Sequence, residues 1–204
     1  MTNIEILKKF VSGEIPMEAF KEIYFSNQSL QDLLQEKLPQ SMLINMIIKA
    51  NNGDFNKVLH KESWDTKGGK SAIHGYIKMW LKGNAIEFTS TERYTNEFNF
   101  LISIMPDYIN SSKAEALIDQ IALSVPESLG KTKRLKMIKT KIKEAFHLEG
   151  CKYPRWAQDT DWPFSKTGKP MKFISQKQER GSDLIELTFE DVDTGERIIV
   201  EDLY

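Results

Sequence analysis

Three histidines are the side chains of this sequence best suited to metal binding or to proton transfer near neutral pH. His60, His74 and His147 are far apart along the chain, and no cysteine or carboxylate lies at a zinc-like interval from two of them. Because isolated histidines are more often surface or boundary residues than ligands, we expect that role for all three. The sequence therefore predicts no metal site and no cofactor.

The remaining motifs do not predict a nucleophile or a phosphate-binding loop. We interpret the single cysteine, Cys151, as a small half-buried residue at a domain joint. The Gly-Lys-Ser at 69–71 and the Gly-Lys-Thr at 130–132 match only the end of a phosphate-binding loop, which also needs a glycine five residues earlier. Trp64 and Val125 occupy those earlier positions. The sequence predicts no catalytic residues, so we expect a protein that is not an enzyme.

The acidic C-terminal segment is a candidate binding surface. Residues 179–204 carry nine acidic side chains against two arginines, a net charge of −7 (nine minus two). The carboxylates proposed to contact a partner are Glu186, Glu190, Asp191 and Asp193. Carboxylates that flank turns are solvated by default, so acid–base catalysis is not predicted for them.

A basic run lies before this segment. Residues 131–143 contain seven lysines and arginines and no acidic residue. Leu135, Ile138, Ile142 and Phe146 recur at helical spacing, which predicts one continuous helix with its lysines exposed. We interpret the two charged regions first as solvated faces, or as complements of each other. The alternative is that one of them meets a charged protein partner.

An aromatic segment, residues 153–163, separates the two charged regions. Its Trp162-Pro163, followed by a Gly-Lys-Pro at 168–170, is typical of a chain that buries an indole, turns and enters a strand. This pattern predicts that Trp162 is buried against the helices. The alternative is that Trp156 and Trp162 line a groove for a partner, because tryptophan is enriched at interaction hot spots. We retain Trp156 as a candidate partner-binding residue.

Short helices are predicted over the first two thirds of the chain. Ile4, Leu7, Phe10 and Val11 share one helical face, for example, and Gly13 ends that segment.

Three further predictions concern particular positions in this helical region. Ser29 is expected to cap the third helix. Residues 67–70, which include two glycines, are expected to form a loop. Residues 42–50 are apolar nearly all round, which favours a central buried helix.

The apolar period changes after Gly150. Residues 169–176 and 184–191 alternate with period 2, and an Asp-Thr-Gly turn leads into a third strand at 196–201. The side chains predicted to point inward are Met171, Phe173, Ile185, Leu187 and Phe189. So small a meander does not fold alone and must pack on the helices. We therefore predict an α+β protein: a mostly helical body of about eight or nine helices in residues 1–150, and a C-terminal antiparallel β-meander in residues 151–204.

Composition limits the function classes that remain. The net charge of −1 argues against a generic nucleic-acid binder or a binder of anionic membranes. The N-terminus lacks the apolar run of a signal peptide, and the longest apolar stretch is too short to span a bilayer. We expect a cytoplasmic protein with no membrane and no direct nucleic-acid partner.

Two stretches of the sequence resemble a family of immunity-like proteins, which Gram-positive bacteria encode beside polymorphic toxins. The C-terminal stretch combines Trp162-Pro163, the Gly-Lys-Pro-Met-Lys-Phe at 168–173 and the Phe-Glu-Asp-Val-Asp-Thr-Gly-Glu at 189–196. The N-terminal stretch is the Phe-Val-Ser-Gly-Glu-Ile at 10–15 with the helical pattern after it. The chain departs from the family pattern at 201–204, where a glutamine is expected before the final aromatic residue.

The resemblance implies binding, with no catalytic residue to carry over. The expected function is that of a non-enzymatic immunity or antitoxin-type protein that occludes a cognate toxin, with a nuclease as one candidate partner. The alternative is a helical scaffold or regulatory adaptor that binds a cellular partner, and an unrecognised enzyme comes third. The sequence leaves the oligomeric state open.

Overall fold

The computed structural model describes residues 1–36, 49, 51–109, 111–148, 150, 153–157, 161–179 and 181–203. Within these residues the chain has eight helices followed by a three-stranded antiparallel sheet, which confirms the predicted α+β class and the C-terminal meander. The chain divides into two compact units, Met1–Phe100 and Leu101–Tyr204.

Six of the eight helices begin in the first unit. They are α1 (Asn3–Ser12), α2 (Met17–Ser26), α3 (Gln28–Glu36), α4 (Phe55–Lys61), α5 (Lys67–Gly83) and α6 (Arg93–Ile104). The boundary between the two units falls inside α6.

Local side-chain chemistry sets the ends of α1. The Thr2 side chain accepts from the backbone N–H of Glu5, and the Glu5 carboxylate accepts from the backbone N–H of Thr2, which is a capping box. Gly13 ends the helix in the left-handed conformation, with φ of 89°, as the sequence predicts.

Aromatic rings fill the core of the first unit. Phe10 and Phe20 stack with ring centroids 3.9 Å apart, and Trp64 stacks on Tyr24 at 5.3 Å. These rings join α1 and α2 to the segment that follows α4. Burial of such rings is the main favourable term for a domain of this size.

One histidine belongs to this core, which corrects its predicted surface position. His74 in α5 is only 1 % exposed and lies between the rings of Phe10 and Tyr94. Its Nε2 is 3.0 Å from the carbonyl oxygen of Val11, so the buried ring has a hydrogen-bond partner. Burial lowers the pKa of His74, which favours the neutral ring. His60 is exposed and His147 is half-buried, as predicted.

The predicted loop at residues 67–70 is wrong, because these residues form the first turn of α5. Thr66 caps the helix by accepting from the N–H of Gly69. A Cβ on Gly69 would lie 1.8 Å from the carbonyl oxygen of Ser63, so this glycine permits a close backbone approach. Gly69 therefore serves close packing at the start of a helix and does not mark a loop.

The prediction that Ser29 caps α3 is also wrong, because Asn27 is the capping residue. The helix begins at Gln28, and the Asn27 side chain accepts from the N–H of Leu30, so Ser29 lies inside the first turn. Asn27 is the cap because it immediately precedes the helix, so its side-chain oxygen can reach the N–H of Leu30, three residues later. The predicted central helix at 42–50 and Cys151 lie outside the described residues, apart from Lys49.

The second unit contains the last two helices and the sheet. They are α7 (Ser112–Ser124), α8 (Lys131–Ala145), β1 (Lys172–Gln178), β2 (Leu184–Glu190) and β3 (Arg197–Leu203). The basic run is one continuous helix, as predicted: Ile138 and Ile142 are buried, while Lys136 and Lys139 are exposed. This amphipathic pattern is sufficient to orient α8.

The strands pair in the order β1-β2-β3, antiparallel throughout. The pairing of β1 with β2 shifts by one residue between Phe173 and Ser175, so Ile174 is an extra residue, as in a β-bulge. The pairing of β2 with β3 is unbroken over seven residue pairs. The predicted Asp-Thr-Gly turn is present, with Gly195 at a φ of 73° donating to the carbonyl oxygen of Asp191.

All five residues predicted to point inward from the strands are buried. Trp162 is 1 % exposed and contacts Phe146, at the end of α8, and Phe189 of β2 edge to face. Its predicted burial is therefore confirmed, and its alternative role in an exposed groove is wrong.

The predicted boundary between residues 150 and 151 marks the change from helix to strand. The compact unit that holds the strands begins earlier, at Leu101, and includes α7 and α8. The division into a helical domain and an appended β-module stays a prediction about folding behaviour.

Candidate functional site

The segment at residues 153–157 crosses one face of the sheet, which we call the inner face. The N–H of Arg155 donates to Gln176 Oε1 in β1, at 2.9 Å. The Trp156 ring stacks over Phe189 in β2, with centroids 5.8 Å apart. The N–H of Ala157 then donates to Asp202 Oδ2 in β3, at 2.6 Å. The segment is thus fixed to all three strands in turn.

Trp156 is half-buried in this arrangement. Its Nε1 donates to the carbonyl oxygen of Tyr108, at 2.8 Å, while its ring covers Phe189. Both the polar and the apolar parts of the indole therefore have intramolecular partners. These contacts make Trp156 an anchor of the crossing segment.

The predicted carboxylates do not converge with Trp156. Trp156 packs on the inner face through Phe189, whereas Glu186 and Glu190 alternate with the inward residues of β2 and lie on the opposite, outer face. Asp191 and Asp193 lie in the turn after β2. The five residues predicted as a partner site are thus divided over two faces and a turn.

Neighbouring basic groups neutralise part of the acidic charge. Arg197 Nε donates to Glu190 Oε2 at 2.7 Å, and Lys169 Nζ donates to Asp193 Oδ2 at 2.6 Å. Glu186 has Lys177 as its cross-strand neighbour in β1 and Glu201 in β3. Of the four predicted carboxylates, Glu186 is the one that presents its charge on the sheet surface without a close ion pair among the described residues.

Asp191 has a structural role in the turn. Its Oδ1 accepts from the N–H of Asp193, at 2.9 Å, and only 7 % of the residue is exposed. The backbone N–H of Asp193 and the contacts with Thr194 hold the pKa of Asp191 below its usual value. A carboxylate used in this way stabilises the turn and is not available to a partner.

A groove with a volume of about 910 Å³ lies beside β1. Its lining residues are Tyr153, Pro154, Arg155, Phe173, Ile174, Ser175, Gln176 and Gln178. Phe173 and Pro154 are buried and form an apolar base, while Arg155 and Gln178 are exposed. The groove thus combines an apolar base with a guanidinium group and side-chain amides.

The position of Tyr153 in the groove is set by a second tyrosine. The rings of Tyr153 and Tyr108 stack with centroids 4.5 Å apart, and 47 % of Tyr153 remains exposed. Burial, followed by the nearby Tyr153 hydroxyl, raises the pKa of Tyr108 above its usual value. Tyr108 therefore stays neutral, and its ring holds Tyr153 in place with one edge exposed in the groove.

Sequence reasoning missed this groove. Tyr153 and Arg155 belong to the aromatic segment that the sequence singles out. Within that segment, however, roles were predicted only for the two tryptophans. The signal was the alternation of Tyr153 and Arg155 about Pro154, which places two large side chains on one side of an extended segment. The bulge at Ile174, which adds an exposed apolar side chain, has no signature in the sequence.

The first unit has a smaller recess of about 440 Å³. Its lining residues are Glu18, Lys21, Glu22, Phe25, Trp64 and Asp65. Two of its carboxylates already pair with lysines: Asp65 with Lys21 at 3.0 Å, and Glu18 with Lys70 at 2.6 Å. Two of the carboxylates that line the recess are therefore already neutralised by lysines of the same unit.

The part of the chain that the structure describes contains no group of three or more histidine, cysteine, aspartate or glutamate side chains placed to hold a metal ion. None of its helices has both the length and the apolar composition needed to cross a bilayer.

Comparison of the chain with protein-family models, with curated proteins and with solved structures finds no match.

Proposed function

We propose that this chain is a non-enzymatic protein-binding protein of the immunity or antitoxin type, which occludes a cognate toxin. The observation that supports the proposal best is the groove beside β1, with the exposed ring of Tyr153 next to Arg155. The proposal that the partner is a toxin rests on the resemblance of the segments at 162–173 and 189–196 to immunity-like proteins.

The chemistry of the groove favours a protein ligand over a small molecule. Tyrosine and arginine are among the residue types most enriched at binding hot spots. Gln176 and Gln178 add amide groups that can pair with the backbone of a bound segment. A small-molecule site buries most of its ligand, whereas six of the eight residues that line this groove are exposed or half-buried.

The base of the groove supplies the apolar contact that such an interface needs. Phe173 is buried beneath it, and Ile174, displaced by the bulge, is 37 % exposed at its side. A partner side chain inserted between Tyr153 and Ile174 would be removed from water on both sides. Arg155 and the glutamines would form the polar rim around it.

A site-specific photo-crosslinker tests this surface. A benzophenone amino acid at Tyr153 should cross-link to the product of a neighbouring toxin gene when the two proteins are co-expressed. The same group at Leu123, an exposed position on α7 in the same unit, serves as the control and should give no product. Cross-linking from both positions, or from neither, would exclude the groove as the binding surface.

A growth assay then separates immunity from the alternative adaptor role. Wild-type protein should protect cells that express the toxin, and the double variant Tyr153→Ala, Arg155→Glu should lose protection by at least about tenfold in survival, because hot-spot truncations cost more than 1 kcal/mol each. Lys139→Glu on α8 is the charge control and should protect as the wild type does. A specific cross-link without protection would instead support the adaptor.

A further inference from the structure

The sheet of the second unit ends at β3. β3 pairs with β2 on one side, and no described segment pairs with it on the other. Backbone N–H and C=O groups at every second residue of such an edge point away from the sheet. These backbone groups of β3, which have no partner strand among the described residues, can pair with one more strand.

The two edges of the sheet differ in how well they are protected. β1 carries the bulge at Ile174 together with Lys172 and Lys177, and bulges and lysines are the usual means of blocking edge pairing. β3 has neither a bulge nor a lysine, and its register is unbroken over all seven residues. Its apolar side chains Ile199 and Leu203 are 63 % and 57 % exposed. Among the described residues, β3 is thus an open edge of the sheet.

We propose that β3 pairs antiparallel with β3 of a second copy of this chain, with Ile199 opposite itself at a two-fold axis perpendicular to the sheet. Directly opposite residues in an antiparallel pair point to the same face. In this register Arg197 lies opposite Glu201 of the second copy, and Glu201 lies opposite Arg197 of the second copy. Two copies would form one continuous six-stranded sheet.

Charge complementarity favours this register over those in which the strands are shifted so that Val200 or Glu201 lies at the axis. With Val200 at the axis, Arg197 would lie opposite Leu203, and Ile199 opposite Glu201 of the second copy. With Glu201 at the axis, two like charges would meet. Centring on Ile199 gives two opposite-charge pairs on one face and two Ile198–Val200 contacts on the other. A self-complementary patch of this kind is what a two-fold interface requires.

The existing contact of Arg197 is compatible with the pairing. Arg197 Nε donates to Glu190 Oε2 at 2.7 Å, and a guanidinium group has five N–H donors. The remaining donors can reach a carboxylate on the other side of the strand. Arg197 would then join Glu190 of its own sheet to Glu201 of the second copy.

Sedimentation equilibrium tests the dimer. A single strand pair buries less than the roughly 1,200 Å² of a stable interface, so the dimer should form over protein concentrations from about 10 µM to about 1 mM. The wild-type mass should rise from 23.6 kDa towards twice that value. Arg197→Glu and Glu201→Arg should each weaken dimerisation by at least about tenfold, since like charges then face each other twice. The double variant should restore it.

Two controls keep the result interpretable. Lys139→Glu, on α8, makes the same change in net charge as Arg197→Glu and should dimerise as the wild type does. Far-UV circular dichroism and thermal unfolding should show that each variant is folded. A wild-type protein that remains monomeric at the highest concentration, or single reversals that leave the dimer intact, would overturn the proposal.

The register has its own test. In a Cys151→Ser background, Ile199→Cys should be linked into a covalent dimer by a short bis-maleimide. Leu203→Cys, at a similarly exposed position of the same strand, should not, because its sulfur atoms would be about 27 Å apart in this register (eight residues of strand). Equal linking at both positions would overturn the register. Neither outcome bears on the groove at Tyr153.

Discussion

The indole of Trp162 joins the two kinds of secondary structure in the second unit. Its ring lies 5.7 Å from Phe146, after α8, and 5.3 Å from Phe189 in β2, measured between ring centroids. Its Nε1 donates to the carbonyl oxygen of Met171, at 3.0 Å, so the polar group is satisfied in the core. Removing this side chain would leave a cavity between helix and sheet.

We predict that Trp162→Ala lowers the free energy of unfolding by about 3–5 kcal/mol, in the range for deletion of a large buried aromatic. Chemical denaturation monitored by circular dichroism measures the change. Trp156→Ala is the matched control and should cost less, because Trp156 is only half-buried. An equal loss for both variants would contradict the difference in burial.

The start of α5 shows how a helix can depend on a residue with no side chain. A Cβ on Gly69 would lie 1.8 Å from the carbonyl oxygen of Ser63, whereas a Cβ on Gly75, in the same helix, would meet nothing within 4 Å. The same substitution at these two glycines should therefore have opposite effects.

Gly69→Ala should destabilise the protein by about 3 kcal/mol or more, because the backbone at Ser63 must move to admit the methyl group. Gly75→Ala should stabilise it by about 0.5–1 kcal/mol, because alanine is the better residue in a helix interior. Thermal unfolding of the two variants beside the wild type checks both signs. A stable Gly69→Ala protein would contradict the close approach.

At the scale of the whole molecule, a net charge of −1 conceals a strong internal asymmetry. α8 carries exposed lysines, while the outer face of the sheet and its turns carry carboxylates. Two of the predicted carboxylates are paired with Arg197 and Lys169. Arg197 is already counted in the net charge of −7 for residues 179–204, so of these two pairings only that with Lys169 lowers the charge that remains for long-range attraction.

If the partner's active surface is basic, the unpaired carboxylates should accelerate its association. Reversing Asp183 and Glu186 to lysine should slow association by roughly threefold to tenfold at low ionic strength and weaken its dependence on salt, with little effect on dissociation. Stopped-flow measurements at two salt concentrations give both quantities. Lys136→Glu with Lys139→Glu is the matched control on α8. If only that control slows association, the binding surface lies on the basic helix.

The sequence by itself determined the elements whose signals are local. The apolar periods of 3.6 and 2 correctly predicted α8 as one helix and the five inward residues of the meander. They did so because these residues follow the geometry of a single helix or strand. The glycine at the end of α1 and the turn before β3 were also predicted, since each depends on the conformation of a few adjacent residues.

Tertiary structure alone decided the features that join distant residues. The buried His74 ring has its hydrogen-bond acceptor in the carbonyl oxygen of Val11, 63 residues earlier. Gly69 is accommodated in the first turn of α5, where the backbone of Ser63 lies against it. The groove at Tyr153 depends on Tyr108, and on a bulge that shifts Ile174 outward. Burial and close approach are properties of pairs of segments brought together by folding, and no local pattern encodes which segments those will be.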